Sequence, residues 1–468
     1  MPQLRQLTGL LIVTATEMPA NQPPLTHADP TTRLLPPPRP SRYPPPPRGA
    51  LFSLTTPAPF MSITCKEPRV TTRNPRARYP TPMSNHANQP DSPLAGRRIF
   101  LIVHALELGG GERQALQFAD HLKNQCRAHV EIWGMTEPGR LIDMAHAAGI
   151  PVRHVPFVRC AGRLKEAWRL FRFASALRRA KPDALVSFDM IANLVCGLTW
   201  RFTGAGGCIW RQMNAGTIRL NRRIERAALR RTPLFVSNSD HGANFLRETL
   251  HVDPSRIHVI RNVLIINPPQ ADREQWRQRL SLTPDQFTAA MLATLHPTKD
   301  HATLVRAWRL VVDRYTGPSP APRLLLAGRK SATAPAVESL IAELDLNDHV
   351  DLLGDVSDIA GLISAIDLGV HVSPAEGYPN AVTECMALGL PIVAADNPGV
   401  REVLRPDDNH ALVPQQDPQA LADRVLTYAH DESARRAAGD RNRAHAVAQH
   451  DAEKSGAQLA QLIATLIH

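Results

Sequence analysis

The stretch His371-Val-Ser-Pro-Ala-Glu-Gly-Tyr-Pro-Asn-Ala-Val-Thr-Glu-Cys-Met-Ala-Leu-Gly-Leu-Pro-Ile-Val393 organises the chain. The run leading into it, with Leu368, Val370 and Val372, reads as a buried apolar strand that breaks into a loop at Ser373-Pro374. Glu376 sits in that loop. Gly377-Tyr378-Pro379 then opens a helix, because proline is tolerated in a first helical turn, where its missing N–H costs nothing. The free N–H groups of that turn, expected on Tyr378, Asn380 and Ala381, carry the positive end of the helix dipole. Such a terminus is an anion site, most naturally for phosphate. Glu384 follows about two turns along the same helix. At a rise of ~1.5 Å per residue the two carboxylates can stand on the order of 10 Å apart. That span suits a diphosphate with a sugar at one end and a ribose at the other. Gly389, with Pro391 beyond it, predicts the helix end.

Taken singly, each piece is ordinary: either glutamate alone reads as a solvated surface charge. The whole string is not ordinary. Glu376-Gly-Tyr-Pro-Asn380, followed by Glu384-Cys-Met-Ala-Leu-Gly-Leu-Pro391, resembles the E-x7-E donor motif of retaining glycosyltransferases of the GT-B fold, the family 4 type. Cys385 stands where that family usually has Ala.

The front of the chain has a different composition. Residues 1–96 hold 21 of the 42 prolines and +6 of the formal net charge of +11. They show no helical or strand period and read as a disordered, Pro-rich extension. A docking segment and an over-long translation start, with Met83 as the later start, both fit. The remaining +5 makes the globular part mildly basic, which suits anionic substrates or an anionic membrane surface. It lacks the Arg/Lys-aromatic pattern of a nucleic-acid module, so no nucleic-acid partner is expected. The six cysteines form no C-x-x-C pair and read as buried free thiols of a reducing compartment. No apolar run reaches the ~18–20 residues of a membrane helix. The expected location is the cytoplasm, with peripheral contact at the inner membrane face as a further expectation.

Residues 97–265 read as a first domain of alternating strands and helices. Arg97–Val103 is a buried strand of the parallel-sheet kind, followed by Gly109-Gly110-Gly111-Glu112-Arg113 and an apolar-faced helix. Strand, Gly-rich turn and helix terminus bring N–H groups near an anion, so Gly110 and Gly111 are candidate donor contacts. The dinucleotide fingerprint G-x-G-x-x-G is absent, since Gln114 stands at its third glycine. Further strands are expected at 129–133, 152–155, 184–188, 208–210 and 234–237. The helix at 165–179 is expected to turn Ala167, Leu170, Phe171, Ala174 and Leu177 inward. Relatives often carry a His after the fifth strand, near the reacting sugar. Here the segment reads Ile209-Trp-Arg-Gln-Met-Asn214, so that Gln212, Asn214 or neither stands in for it, and the acceptor residues stay unassigned.

Residues 266–468 read as a second domain of the same kind. Phe287–Leu295 is a strand, followed by His296-Pro-Thr-Lys-Asp-His301 and a helix over 302–312. The segment resembles the family's G-R-L-x-x-x-K-[GD] pattern, whose Arg and Lys grip the donor diphosphate. Lys299 matches the Lys, whereas Thr294 occupies the Arg position. Arg329 and Lys330, after the strand ending at Gly328, are the nearest replacements by topology. The Ala-rich helices over 417–467 are expected to cross back onto the first domain.

The resemblance implies two Rossmann-like, doubly wound α/β domains facing a cleft. It implies a transferase moving a hexose-type sugar from a nucleotide-diphosphate sugar, a co-substrate and not a bound cofactor, to a sugar or lipid-linked acceptor. Cell-envelope polysaccharide or glycolipid synthesis is the expected setting. Glu376 would contact the hexose, Glu384 the ribose diol, and Lys299 with Gly377, Tyr378, Pro379, Asn380 and Ala381 the diphosphate side. No D-x-D lies near these residues and no His/Cys cluster has ligand spacing, so no metal is expected. A GT-B nucleotide-sugar epimerase and a non-catalytic nucleotide-sugar-binding protein are the alternatives.

Overall fold

The computed structural model describes residues 92–467 apart from 108, 137, 158–162, 214–221, 318–319, 406 and 408. The expectations for residues 1–91, and for Cys65, Cys160 and Asn214, lie outside that set. The first seven strands are β1 (Arg98–Val103), β2 (His129–Gly134), β3 (Val152–His154), β4 (Ala184–Phe188), β5 (Gly207–Gln212), β6 (Leu234–Ser237) and β7 (Ile257–Val259). They form a parallel sheet in the order β3-β2-β1-β4-β5-β6-β7. Six more, β8 (Thr288–Leu292), β9 (Arg323–Ala327), β10 (Val350–Gly354), β11 (Leu368–His371), β12 (Ile392–Ala395) and β13 (Leu412–Val413), form a second parallel sheet, β10-β9-β8-β11-β12-β13.

Central strands such as β1, with Ile99 to Val103 fully buried, are continuous apolar runs because helices cover both faces of each sheet. Strand order reverses once in each sheet, between β1 and β4 and between β8 and β11. The loops leaving the carboxyl ends of these strands therefore splay apart and leave a crevice. The Gly109 loop, the Lys299 loop and the Glu376 loop all leave such strands.

The helix expected to open at Gly377 instead spans Asn380–Ala387, with Pro379 as its N-cap. A residue before proline is driven out of the helical region, which keeps Tyr378 outside the helix. Pro379 itself is extended (ψ 101°), so proline here precedes the first turn. The other end matches expectation. Gly389 adopts φ +82°, and Gly389 and Leu390 donate back to Met386 and Cys385, a Schellman stop that a side chain bearing Cβ would strain.

Helix Arg163–Ala180 also departs from expectation, in that Phe171 points outward and is 43% exposed. Its buried stripe is Leu170, Phe173, Ala174 and Leu177, at the i, i+3, i+4, i+7 spacing that leaves Phe171 off the inner face. Strand β13, two residues long on the sheet edge, carries no pattern that sequence reading could detect.

Helix Glu432–Gln449 lies against the Asn380 helix, and a Cβ on Gly439 would come within 2.0 Å of the Gly389 carbonyl oxygen. After His450 the chain continues as helix Ala452–Ile467. Its Leu459 and Ile463 join the core that holds Phe188 and Ile209 of the first sheet and Phe118 of the helix Gly110–Asn124. The second domain is thus fastened back onto the first.

Candidate active site

The Glu376 carboxylate is buried at the end of β11, between two basic groups. Lys299 Nζ donates to Oε1, and His371 Nε2 lies 2.8 Å from the same oxygen. Burial alone would raise its pKa. The hydrogen bond and charge of His371 and the charge of Lys299 more than reverse that, and the pKa falls to about 2. The loop carrying Lys299 is held in place by Ser373 Oγ, which donates to the Thr298 carbonyl at 2.9 Å, and by Asp300 N, which donates to Val372 O at 3.0 Å. Behind Glu376 the helix Pro398–Val403 approaches so closely that a Cβ on Gly399 would lie 2.3 Å from the Glu376 carbonyl oxygen.

The Asn380 helix begins beside this carboxylate, and no side chain caps its first turn. Val382 N and Thr383 N both turn back to Pro379 O, which leaves Asn380 and Ala381 as the leading N–H groups. Asn380 reaches across to the first domain instead. Its Oδ1 accepts from Asn262 Nδ2 at 2.7 Å, and its Nδ2 lies 3.4 Å from Gly110 O. Gly110 opens the helix Gly110–Asn124; its N-cap Gly109 has no side chain to offer, and the Glu112 carboxylate accepts from the backbone N–H groups of Gly109 and Glu112 instead. A Cβ on Gly111 would meet nothing within 4 Å, so that glycine borders open space. Tyr378 is buried, and its hydroxyl lies 2.9 Å from Nε2 of His450, whose Nδ1 faces Asn262 O at 3.2 Å.

Glu384 lies farther along the same helix and meets Arg113 of the first domain, Nη1 to Oε1 at 3.0 Å. Burial raises the Glu384 pKa, and the Arg113 charge opposes the rise. Arg113, Asn262, Asn380, Thr383, Glu384 and His450 together line a cleft between the domains. Thr294, at the Arg position of the expected motif, sits where Gly328 packs: a Cβ there would lie 2.8 Å from Thr294 N. Arg329 reaches Glu107 of the first domain at 3.5 Å, so it borders the cleft, whereas Lys330 pairs with Glu338 on an exposed surface.

Two more contacts close the rim: Arg140 with Asp355 at 3.5 Å, and Glu402 with three donors of the first domain. Glu402 accepts from Arg261, from Asp240 N, and from His241 N at 3.1 Å. The site therefore holds two largely enclosed carboxylates, Glu376 and Glu384, cations beside each, and the uncapped start of the Asn380 helix, facing a Gly110 helix start whose first N–H groups are met by the Glu112 carboxylate. That set can hold a di-anion next to polar hydroxyl-bearing groups.

Residues 108–264 match the family described as Glycosyltransferase Family 4, and residues 272–445 match Glycosyl transferases group 1. The chain is a GT-B, glycosyltransferase family 4-like protein. This family 4-like chain is 30% identical to EpsD of Bacillus subtilis (strain 168) over 172 residues, 37% of this chain and 44% of EpsD. It is 28% identical to the D-inositol 3-phosphate glycosyltransferase of Mycolicibacterium gilvum (strain PYR-GCK) over 190 residues, 40% of this chain and 42% of that protein. The chain thus spans less than half the length of these curated relatives. Anabaena HepE, solved in complex with UDP and glucose, superposes with a TM-score of 0.69 at 19% identity, covering 79% of this chain and 100% of HepE. That likeness shows the shared GT-B fold.

Within this family 4-like site, Glu376, Lys299, Asn380 and Ala381 come together at one end of the cleft, with Gly110 opposite. Glu384 stands along the helix, with Arg113 as a partner that sequence reading missed. Its position two residues after the glycine triplet was the available signal. His371 was read as a strand residue only, and nothing in its spacing marked it as a partner of Glu376. Gln212 is buried and Trp210 Nε1 donates to its Oε1 at 3.0 Å, so it is tied into the sheet. Among the described residues, no group of three or more His, Cys, Asp or Glu is placed to hold a metal ion, and no helix is long and apolar enough to cross a membrane.

Proposed function

We propose that this protein is a retaining glycosyltransferase that moves a hexose from a nucleotide-diphosphate sugar to a hydroxyl of a sugar or lipid-linked acceptor. The observation that carries the reading is the placement of Glu376, Lys299 and Glu384 around one uncapped helix start inside the interdomain cleft. Asn380 and Ala381 N–H groups and Lys299 bind the diphosphate. Glu384, beside Arg113, accepts from the ribose diol. The bond between the anomeric carbon and the β-phosphate oxygen breaks, with positive charge developing on the sugar next to the Glu376 carboxylate. The acceptor oxygen bonds to the same face of the anomeric carbon, and its proton passes to the departing phosphate oxygen. No separate general base is needed. A covalent glycosyl-Glu intermediate is disfavoured, because it requires two carboxylates only ~5–5.5 Å apart flanking one bond.

The acceptor class is supported by helix Arg163–Ala180 on the first domain. Trp168 (57% exposed) and Phe171 stand outward among arginines, with Arg172 stacked over Trp168 at 4.8 Å. Aromatic rings beside arginines suit the interface of an anionic bilayer, where a lipid-linked acceptor resides. Envelope polysaccharide or glycolipid synthesis fits that placement.

Incubation with a panel of nucleotide sugars, with and without lipid-linked acceptors, tests the reading. Acceptor-dependent release of free nucleotide with formation of an α-linked product from an α-linked donor is expected. An isomerised sugar formed without acceptor would identify an epimerase instead. Tight binding with no turnover on any pair would identify a binding protein.

A further inference from the structure

Arg211, at the end of β5, is fully buried, and among the described residues no acidic side chain pairs with it. Its guanidinium stacks on Phe118 at 4.4 Å and near Phe188 at 5.8 Å. Only Nη2 is bonded, to Ile260 O and to Asn262 Oδ1, each at 3.3 Å, while Nε and Nη1 have no partner. Desolvation lowers its pKa to about 9. A buried, unpaired cation is costly, and an apolar side chain of similar volume would fill the same space more stably. What an apolar side chain would not do is give a direction to the hydrogen bonds beyond it.

Guanidinium only donates. Facing Asn262, it draws the amide oxygen toward itself and turns Nδ2 outward. Asn262 Nδ2 then donates to Asn380 Oδ1 at 2.7 Å. That in turn leaves Asn380 Nδ2 directed at Gly110 O, 3.4 Å away. An asparagine amide turned end over end has nearly the same shape, so packing alone would leave both amides ambiguous. The chain runs from the first sheet, through the interdomain linker, to the start of the Asn380 helix, and back to the start of the Gly110 helix. The same linker is also pinned by Gln114, which exchanges two 2.8 Å hydrogen bonds with the Val263 backbone.

We propose that Arg211 is a positioning residue: as a buried donor-only group it sets the polarity of the Asn262–Asn380–Gly110 relay and so holds the two helix starts in register across the cleft. Its consequence for donor binding rests on the transferase reading, whereas the register itself does not.

Hydrogen–deuterium exchange on the full, ligand-free chain tests the relay without any substrate. Asn262→Asp gives Arg211 a carboxylate partner but removes the donor toward Asn380. Its melting temperature should equal or exceed that of the wild type, while exchange at Arg113, Gln114, Val382 and Thr383 accelerates about tenfold or more. Arg211→Met should fold and show the same loosening, and Arg211→Lys, which also only donates, should restore most of the protection. Wild-type exchange at these amides in Asn262→Asp overturns the proposal, and this variant decides the matter should Arg211→Met fail to fold. Unchanged exchange in a folded Arg211→Met would overturn it equally. Calorimetry with UDP separates the two readings: no binding to the wild type would count against a uridine-nucleotide donor, while the exchange result would stand.

Discussion

Arg113, on the first turn of the Gly110 helix, and Glu384, on the Asn380 helix, meet at 3.0 Å across the interdomain cleft. Each domain thus contributes one half of an ion pair to the wall of the cleft.

Glu384→Ala should weaken donor sugar and free nucleotide alike by at least about tenfold, because each hydrogen bond to a charged acceptor contributes about 1.5–3 kcal/mol. Arg113→Met should behave differently and reveal the buried carboxyl. Burial already holds the Glu384 pKa above its ordinary value, and losing Arg113 raises it further. A raised carboxyl pKa penalises the fold as pH rises above the unfolded value of 4.5, and the penalty is complete once pH passes the folded value. The variant should therefore be nearly as stable as the wild type near pH 4.5 and clearly less stable at pH 8. Thermal melts across that range check the sign, and an equal loss at both ends would remove Glu384 as the cause.

Glu376→Gln should lower turnover by about a hundredfold while changing donor affinity far less, since its interaction grows as charge develops at the sugar. It should also alter acid stability. The folded pKa of about 2 lies below the ordinary value of 4.5, so Glu376 contributes stability above pH 4.5 that is lost as pH falls toward 2. The glutamine variant should show a flatter acid limb in that window. Full turnover in Glu376→Gln would exclude the sugar contact.

Lys299→Ala should nearly abolish binding of a nucleoside diphosphate while barely affecting the nucleoside. Thr294→Arg should tighten donor binding, because Arg adds a bidentate fork for phosphate where this chain has none. Titration calorimetry with nucleoside, monophosphate and diphosphate separates the cases. Equal losses for all three ligands in Lys299→Ala would place Lys299 away from the phosphates.

Flotation with vesicles tests the Arg163–Ala180 surface. The wild type should float with vesicles containing about one-third anionic lipid and should dissociate as salt is raised, because surface electrostatics are screened within a Debye length. Trp168→Ala with Phe171→Ala should float less and keep its melting temperature, since both rings are exposed. Undiminished flotation of that double variant would take the helix out of the docking surface.

How far the site was legible depended on how local its signals were. Glu376, Lys299 and the end of the Asn380 helix at Gly389 are written in short strings with turn chemistry of their own. Pro379 precedes the first turn and does not stand in it, because the exclusion it imposes on Tyr378 is as strong as its tolerance in a first turn. The outward turn of Phe171 is not legible locally, because a helix face holding Leu170, Phe173 and Ala174 leaves adjacent aromatics ambiguous without knowledge of what it packs against.

The sequence by itself determined the two parallel sheets, since unbroken apolar strands alternating with amphipathic helices can be satisfied only when helices cover both sheet faces. It also determined that one strand–loop–helix unit carries two carboxylates about two turns apart. The tertiary structure alone decided the partners of those carboxylates. Arg113 lies 271 positions from Glu384, Lys299 is 77 from Glu376, and Asn262 is 118 from Asn380. Such pairings leave no periodic trace along the chain, because they are fixed by how two separately patterned domains dock and by the terminal helix that straps one to the other.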